Sequence, residues 1–370
     1  MMESMDKKFS VVVIAYNQAD YIKETIESVL NQTYQIFEVI IADDSSTDNL
    51  QEVLNGIQDD RIKYVKTPYN MGLNANISNG LKISDGDYIV LLGGDDKLRP
   101  NHFEKMLETF QNNDVDAVYC QITNIDKNGN YILGENVPLW ESKNRTKSKF
   151  LHDFFTKNLI SSPGMTVKKE AITSILPLNL SNVLYQDYKI HVDLLINGYN
   201  IKVIDDILVD YRQFFDNRNI SDNSSGTSSK RAFLETNTLL NSYLKINDID
   251  LLTEVFKEEI ESSGVKPYPQ TIPFFLGKMA LMIKNNEHIQ IWGFRTISDF
   301  ISKKENYDLV HELYGFTFKD LLNLPKYIEL KTDYINKKNK KYKKLFNVFL
   351  VISIILFVIN IFVLWRFASI

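Results

Sequence analysis

The chain has 370 residues, more than one ordinary domain, and 44% of them are hydrophobic, with 22 Phe and 19 Tyr to fill a sizeable core. A net charge of -5 gives no whole-chain case for a nucleic-acid partner, and the single cysteine, Cys120, excludes an internal disulfide. Five scattered histidines with no HxH or HExxH spacing leave no legible zinc site. The opening Met-Met-Glu-Ser-Met-Asp-Lys-Lys lacks the apolar core of a secretory signal, so the chain is expected to start in the cytosol.

Phe9 to Ala15 is apolar and β-branched and predicts a buried strand that ends at Tyr16-Asn17. Asp20 is placed to cap a helix whose apolar positions Ile22, Ile26, Val29 and Leu30 fall at helical spacing. Phe37 to Ala42 predicts a second strand, running into Asp43-Asp44-Ser45-Ser46-Thr47-Asp48. A helical stripe over Leu50, Val53, Leu54 and Ile57 follows, then a third strand over Arg61 to Lys66. The turn Asn70-Met71-Gly72 leads to a helix through Leu81 and Ile83. Tyr88 to Leu92 is a continuous apolar run that stops at Gly93-Gly94 and the acidic pair Asp95-Asp96, the pattern of a fully buried parallel strand. Strand and helix alternating at this spacing predict βαβ units in an α/β, doubly wound, mixed but mainly parallel sheet of Rossmann-like form.

Phe103, Met106, Leu107 and Phe110 mark a further helix, and Asp116 to Thr123 a further strand. Lys127 to Ser148 is polar, with a hairpin turn at Asn128-Gly129-Asn130. Met165 to Lys168 reads as a strand and Lys169 to Ile175 as a short helix. Tyr185-Gln186-Asp187-Tyr188 opens a helix that Gly198 ends, and Ile201 to Ile204 and Ile207 to Arg212 read as two short strands. This organisation gives a catalytic region over 1–215, a mobile loop or linker over 216–230, and a mostly helical region over 231–336 with a candidate strand at Ile289 to Trp292. Residues 337–344 hold six lysines, and Leu345 to Trp365 is an uncharged run of the ~20 residues needed to cross a bilayer core. Positive flanks stay cytoplasmic, so the expectation is a single-pass C-terminal helix in the cell (inner) membrane, with the rest of the chain facing the cytoplasm.

Three expected strand ends carry polar chemistry in one direction: Tyr16-Asn17, Asp43-Asp44 and Asp95-Asp96. In open α/β sheets, ligands bind just outside the carboxyl ends of the strands. Two adjacent carboxylates repel unless one takes a proton or a cation sits between them, and hard divalent cations take oxygen ligands. An aromatic face, an acidic acceptor and a carboxylate pair suit a nucleotide diphosphate with its metal; the acidic pair alone reads more simply as a solvated turn, since such pairs are frequent in turns. No GxxxxGK[ST] loop is present, which excludes a P-loop ATPase.

Taken together, Ser10-Val-Val-Val-Ile-Ala-Tyr-Asn17, Ile26-Glu-Ser-Val-Leu-Asn-Gln-Thr33, Ala42-Asp-Asp-Ser-Ser-Thr-Asp48, Asn70-Met-Gly72 and Gly86-Asp-Tyr-Ile through Asp95-Asp96 resemble the family 2 glycosyltransferases of the GT-A fold, over about residues 9 to 215. The resemblance implies an inverting enzyme that binds a nucleotide-sugar. Tyr16 would stack on the base and Asp44 would bind it, with Ala15, Asn17, Gly72 and Asp95 completing the nucleotide site. Asp95, with Asp96 beside it, would be the DxD-type ligand of a divalent metal, Mn or Mg. Asp187 stands where the family places its general base, and Arg212 where a phosphate contact recurs. The chain departs from the family pattern at Ile14, usually Pro or Thr, at Gly93, usually the first Asp of DxD, and at Asn76 and Ile77, one of which is often Arg.

The expected function is transfer of a sugar, from a UDP-sugar, to a hydroxyl of a lipid-linked or surface-polysaccharide precursor. The expected partners are the donor, a glycan or lipid-linked acceptor and the membrane. A degenerate, catalytically inactive relative acting as a scaffold or binding protein is the alternative, and Gly93 is the residue that favours it. A nucleotidyltransferase would want a Gly-rich, basic loop after the first strand, which Ala15-Tyr-Asn-Gln-Ala-Asp20 is not.

Overall fold

Continuous apolar sequence becomes buried parallel strand, and the strand ends set out everything else. A computed structural model describes residues 7–132, 145–214 and 226–329. β1 (Phe9–Ala15) is followed by α1 (Ile22–Leu30), β2 (Phe37–Asp43), α2 (Leu50–Asn55), β3 (Ile62–Lys66), α3 (Leu73–Ile83) and β4 (Tyr88–Gly93). Then come β5 (Lys97–Leu98), α4 (His102–Asn112), β6 (Ala117–Ile125), α5 (Lys147–Phe154), β7 (Thr166–Lys168), α6 (Lys169–Ser174), α7 (Gln186–Ile196) and β8 (Ile201–Arg212). The remaining helices are α8 (Gly226–Leu240), α9 (Ile249–Val255), α10 (Lys257–Ser263), α11 (Ile272–Met282), α12 (Glu287–Ile301), α13 (Lys304–Tyr314) and α14 (Phe318–Asn323).

The eight strands form one sheet in the order β3-β2-β1-β4-β7-β6-β8-β5. β1 to β4 run parallel, β7 is antiparallel to both β4 and β6, β6 and β8 are parallel, and β5 is antiparallel to β8. This is the mixed, mainly parallel α/β sheet that the chain order predicts. Ala15 pairs with Asp43 and Ile14 with Gly93, so the carboxyl ends of β2, β1 and β4 lie level and adjacent. Beneath them Phe9 stacks on Phe103 at 4.8 Å between ring centroids, and Tyr88 stacks on Phe110 at 4.3 Å, which roots the helix after the acidic pair in the sheet's core.

The chain divides into two compact units, one up to Ile272 and one from Pro273. The first therefore takes in α8 to α10 as well as the sheet. In the second, α11 and α12 pack at Gly277 and Gly293: a Cβ at Gly277 would meet the Gly293 carbonyl oxygen at 2.8 Å, and one at Gly293 would meet that of Gly277 at 2.7 Å. Such main-chain approach is open only to residues without a side chain. Phe274, Ile297, Val310 and Phe316 fill this unit's core.

Four expectations are corrected. Ile289 to Trp292 lies inside α12, where buried Ile289, Trp292, Ile297 and Ile301 follow a helical period. Ile201 to Arg212 is one strand, paired with β6 across two irregularities rather than split in two. Asp20 does not cap α1, whose cap residue is Tyr21 and makes no side-chain bond. Among the described residues no helix is long and apolar enough to cross a membrane, so the expected single-pass localisation is not supported. The basic segment 337–344, the run Leu345 to Trp365 and most of the 216–230 linker lie outside the described residues.

Candidate active site

The site is laid out by the level ends of β2, β1 and β4. At β1, Ala15 is buried and Tyr16, the next residue, is 45% exposed, leaving its ring free to stack. Asn17 takes a left-handed conformation (φ 53°), which Asn tolerates better than most residues. Its main-chain N–H donates to Ser46 Oγ at 2.9 Å, and its Oδ1 accepts the Thr47 N–H at 2.8 Å. Asn17 thus ties the loop after β1 to the loop after β2.

Asp44, one residue beyond β2, is buried and donates its main-chain N–H to the Ala15 carbonyl at 2.9 Å. Its carboxylate accepts Thr67 Oγ1 at 2.9 Å, the Met71 N–H at 2.8 Å and the Gly72 N–H at 2.7 Å. The Asn70-Met-Gly72 turn is therefore fastened to Asp44, and Gly72 starts α3 at φ 87°, a conformation glycine supplies without strain. An ionised carboxylate has about four acceptor positions, so three bonds leave one for a ligand N–H. Its neighbour Asp43 is spent within the fold, on the Ser46 N–H, Tyr64 Oη and Lys66. Asn76, where the family often has Arg, donates Nδ2 to the Ala42 carbonyl at 2.7 Å and leaves its buried Oδ1 without a partner.

Beyond β4, the carboxylates of Asp95 and Asp96 fold back over Gly93. A Cβ at Gly93 would meet Asp96 Oδ2 at 2.9 Å and Asp95 Oδ1 at 3.0 Å. Burial raises the proton affinity of Asp95, and burial together with the Asp95 charge raises that of Asp96 well above the ordinary carboxylate range. Two crowded carboxylates of this kind hold a proton or share a cation. Among the described residues no three His, Cys, Asp or Glu side chains gather into a complete protein cage. The pair fits a divalent metal that takes one or two carboxylates and completes its shell from substrate phosphate and water.

Arg212, expected at a phosphate, is instead an interior strut, with a side chain wholly shielded from solvent. Its main-chain N–H donates to Asp96 Oδ1 at 2.9 Å and its Nε to the Asp95 carbonyl at 2.9 Å. Nη1 donates to the carbonyls of Asp126 and Lys127, each at 3.0 Å, and Nη2 to Glu24 Oε2 at 2.9 Å. The guanidinium also lies 4.8 Å over the Tyr21 ring. A fork so fully committed fixes the acidic pair and is not available to a ligand.

Asp187 stands in the first turn of α7 and accepts the Tyr188 N–H at 2.6 Å. Burial pushes its carboxyl up to about 6, against the opposing pull of that N–H and of the Ser162 and Asn158 side chains. A carboxylate poised there is ionised at neutral pH and strong enough to take a proton in a reaction. The loop leading to it is tied to the start of α3: Asn74 Nδ2 donates to the Asn179 carbonyl at 2.7 Å and to that of Asn182 at 3.3 Å. Asn74 shows no sequence signal beyond its place two residues after Gly72.

Comparison with known proteins points one way. The family profile described as glycosyl transferase family 2 matches residues 10–176. An uncharacterised glycosyltransferase of Methanocaldococcus jannaschii is 33% identical over 218 residues, which cover 57% of this chain and 73% of that protein. The Escherichia coli protein WfaP, named UDP-Glc:alpha-D-GlcNAc-diphosphoundecaprenol beta-1,3-glucosyltransferase, is 45% identical over 87 residues, 24% of this chain and 35% of its own length. Among solved structures, S. aureus TarS 1–349 in complex with UDP superposes with a TM-score of 0.53 at 16% identity, over 84% of this chain and 93% of that one. That last likeness is one of fold alone.

Proposed function

Because this chain belongs to glycosyltransferase family 2, and is a glycosyltransferase, we propose that it is an inverting enzyme that moves a sugar from a UDP-sugar to a hydroxyl of a lipid-linked or surface-polysaccharide precursor. The observation that carries the reading is the level convergence of three strand ends, with an exposed Tyr16, a buried Asp44 retaining one acceptor position, and the crowded Asp95-Asp96 pair. WfaP is named for a UDP-Glc donor and a diphosphoundecaprenol acceptor, which supports the donor and acceptor classes.

In this reading the base lies on Tyr16, its N–H meets Asp44, and Ala15, Asn17 and Gly72 line the nucleoside. Asp95, with Asp96, would hold a divalent metal, Mn or Mg, against the diphosphate; when bound, the metal supplies charge neutralisation for the leaving group. Asp187 takes the proton from the acceptor hydroxyl as its oxygen attacks the anomeric carbon. The bond from that carbon to the diphosphate oxygen breaks on the opposite face, so one displacement with one base inverts the configuration. Arg212 acts through the main chain of Asp95 and the carboxylate of Asp96, keeping both in place.

The test is calorimetric titration of the full chain with UDP, with and without manganese, beside Asp95→Asn. Metal-dependent binding that the variant loses is the expected result. Equal binding by both proteins would remove Asp95 from the site, and no binding of UDP would remove the donor class.

A further inference from the structure

Glu235 lies on α8, outside every motif of the sequence, yet it is only 4% exposed. Its carboxylate accepts three successive main-chain N–H groups, those of Val183 at 3.0 Å, Leu184 at 2.9 Å and Tyr185 at 2.8 Å. These residues lead directly into α7, whose cap residue Tyr185 makes no side-chain capping bond of its own. Glu235 thus caps α7 from a distance of 50 residues in sequence, by charge-assisted bonds of the stronger kind. The same stretch of chain holds α7 again further on: Ser242 Oγ donates to Asp193 Oδ1 at 2.7 Å, and Lys189 Nζ donates to Ser242 Oγ at 2.8 Å.

We propose that Glu235 is a positioning residue for sugar transfer, fixing from α8 the main chain that presents Asp187 to the acceptor hydroxyl. The inference rests on the reading of Asp187 as the general base. A base must sit within hydrogen-bond reach of the proton it removes, and about 1 Å of misplacement costs on the order of 100-fold in rate. The strand ends that hold the nucleotide are one half of the site; α8 secures the other half, which gives the start of the helical region a task.

Substrate-free titration of Asp187 tests the link directly. Charged and titratable groups around the pair are Tyr119 on β6, Tyr185, Tyr188, the Lys189–Asp193 pair and His191 on or beside α7, and Arg231 on α8. His191, hydrogen-bonded to Tyr119 at 2.8 Å, is pushed down to about 3 by burial and stays neutral throughout. The full chain would be prepared with carbon-13-labelled aspartate, Asp187 assigned by its missing resonance in Asp187→Asn, and the carboxyl followed over about pH 4 to 8.

The wild type is expected to titrate near 6. Glu235→Gln loosens the grip on the loop and lets water reach Asp187, whose raised affinity comes from burial, so its midpoint should fall toward the ordinary 3.8. Turnover of UDP-glucose or UDP-N-acetylglucosamine, read as UDP release, should drop by ~10-fold or more, with the donor KM unchanged. Glu235→Asp keeps the charge but shortens the reach, and should lie between the two in midpoint and turnover. A Gln variant titrating with the wild type overturns the proposal; so does an Asp variant matching the wild type in both readouts, should the Gln variant not fold. Asp187→Asn retaining full turnover would instead refute the base assignment, while the titration link between the two carboxylates stood.

Discussion

Replacing Asp187 by Asn should stabilise the protein while disabling it. The native carboxyl is held up to about 6 by burial against an ordinary value of 3.8. A raised carboxylate affinity means that the native state keeps its proton where the unfolded chain has released it. The linkage is absent below pH ~4, where both states are protonated, and it grows as destabilisation up to about pH 6. Above that it is complete, at about 3 kcal/mol as an upper value. Asn keeps an oxygen for the Tyr188 N–H and carries no charge to desolvate. At pH 8 the variant should therefore melt roughly 3 to 5 °C higher than the wild type, and the gap should shrink to about a third of that on acidification to pH ~4.5. Turnover should fall by about 100- to 10,000-fold, the usual contribution of a positioned general base. Thermal melts across pH, paired with UDP-release assays, make the measurement. An Asn variant less stable than the wild type at pH 8, or a gap indifferent to pH, would refute the reasoning and make Asp187 a structural helix-end residue.

Arg212→Met should cost about 2 to 4 kcal/mol, because the buried guanidinium's bonds to three carbonyls and to half-exposed Glu24 are lost; denaturant melts would read it, and a neutral result would contradict the strut. Asp44→Ala should release the Met71-Gly72 turn and weaken UDP binding by about 10-fold or more, checked by calorimetry. Gly277→Val drives a side chain into the Gly293 carbonyl and Ile297, and should lower stability by about 1 to 3 kcal/mol or more, seen as a lower-melting transition in scanning calorimetry.

The placing of the candidate residues beyond β1, β2 and β4 is legible because buried parallel strands write themselves as unbroken apolar runs, and polar residues can stand only where those runs stop. Asp187 is singled out through the resemblance alone, since an acid at a helix start is a common pattern. The phosphate contact expected of Arg212 rests on the resemblance alone, and its partners at 24, 95 and 126 are far apart in the sequence, so its role as a strut has no local signal. Glu235 likewise reads as a solvent-facing helix residue, and nothing local marks its bonds to residues 183–185. β8 was divided because exposed Asp205 and Asp206 interrupt its apolar pattern where the pairing with β6 shifts. The strand expected at 289–292 rested on four residues, too few to separate a period of two from the 3.6 that continues through Ile297 and Ile301.

The space above Gly93 limits what any other residue at this position can do. With two carboxylate oxygens within 3.0 Å of where a Cβ would stand, the space a side chain at 93 would take is already occupied by its neighbours. An aspartate at 93 would bring a third negative group into a pocket that already strains to ionise two. A single Gly93→Asp change therefore gives a worse protein, and a third carboxylate is accommodated only if Asp95 and Asp96 move first.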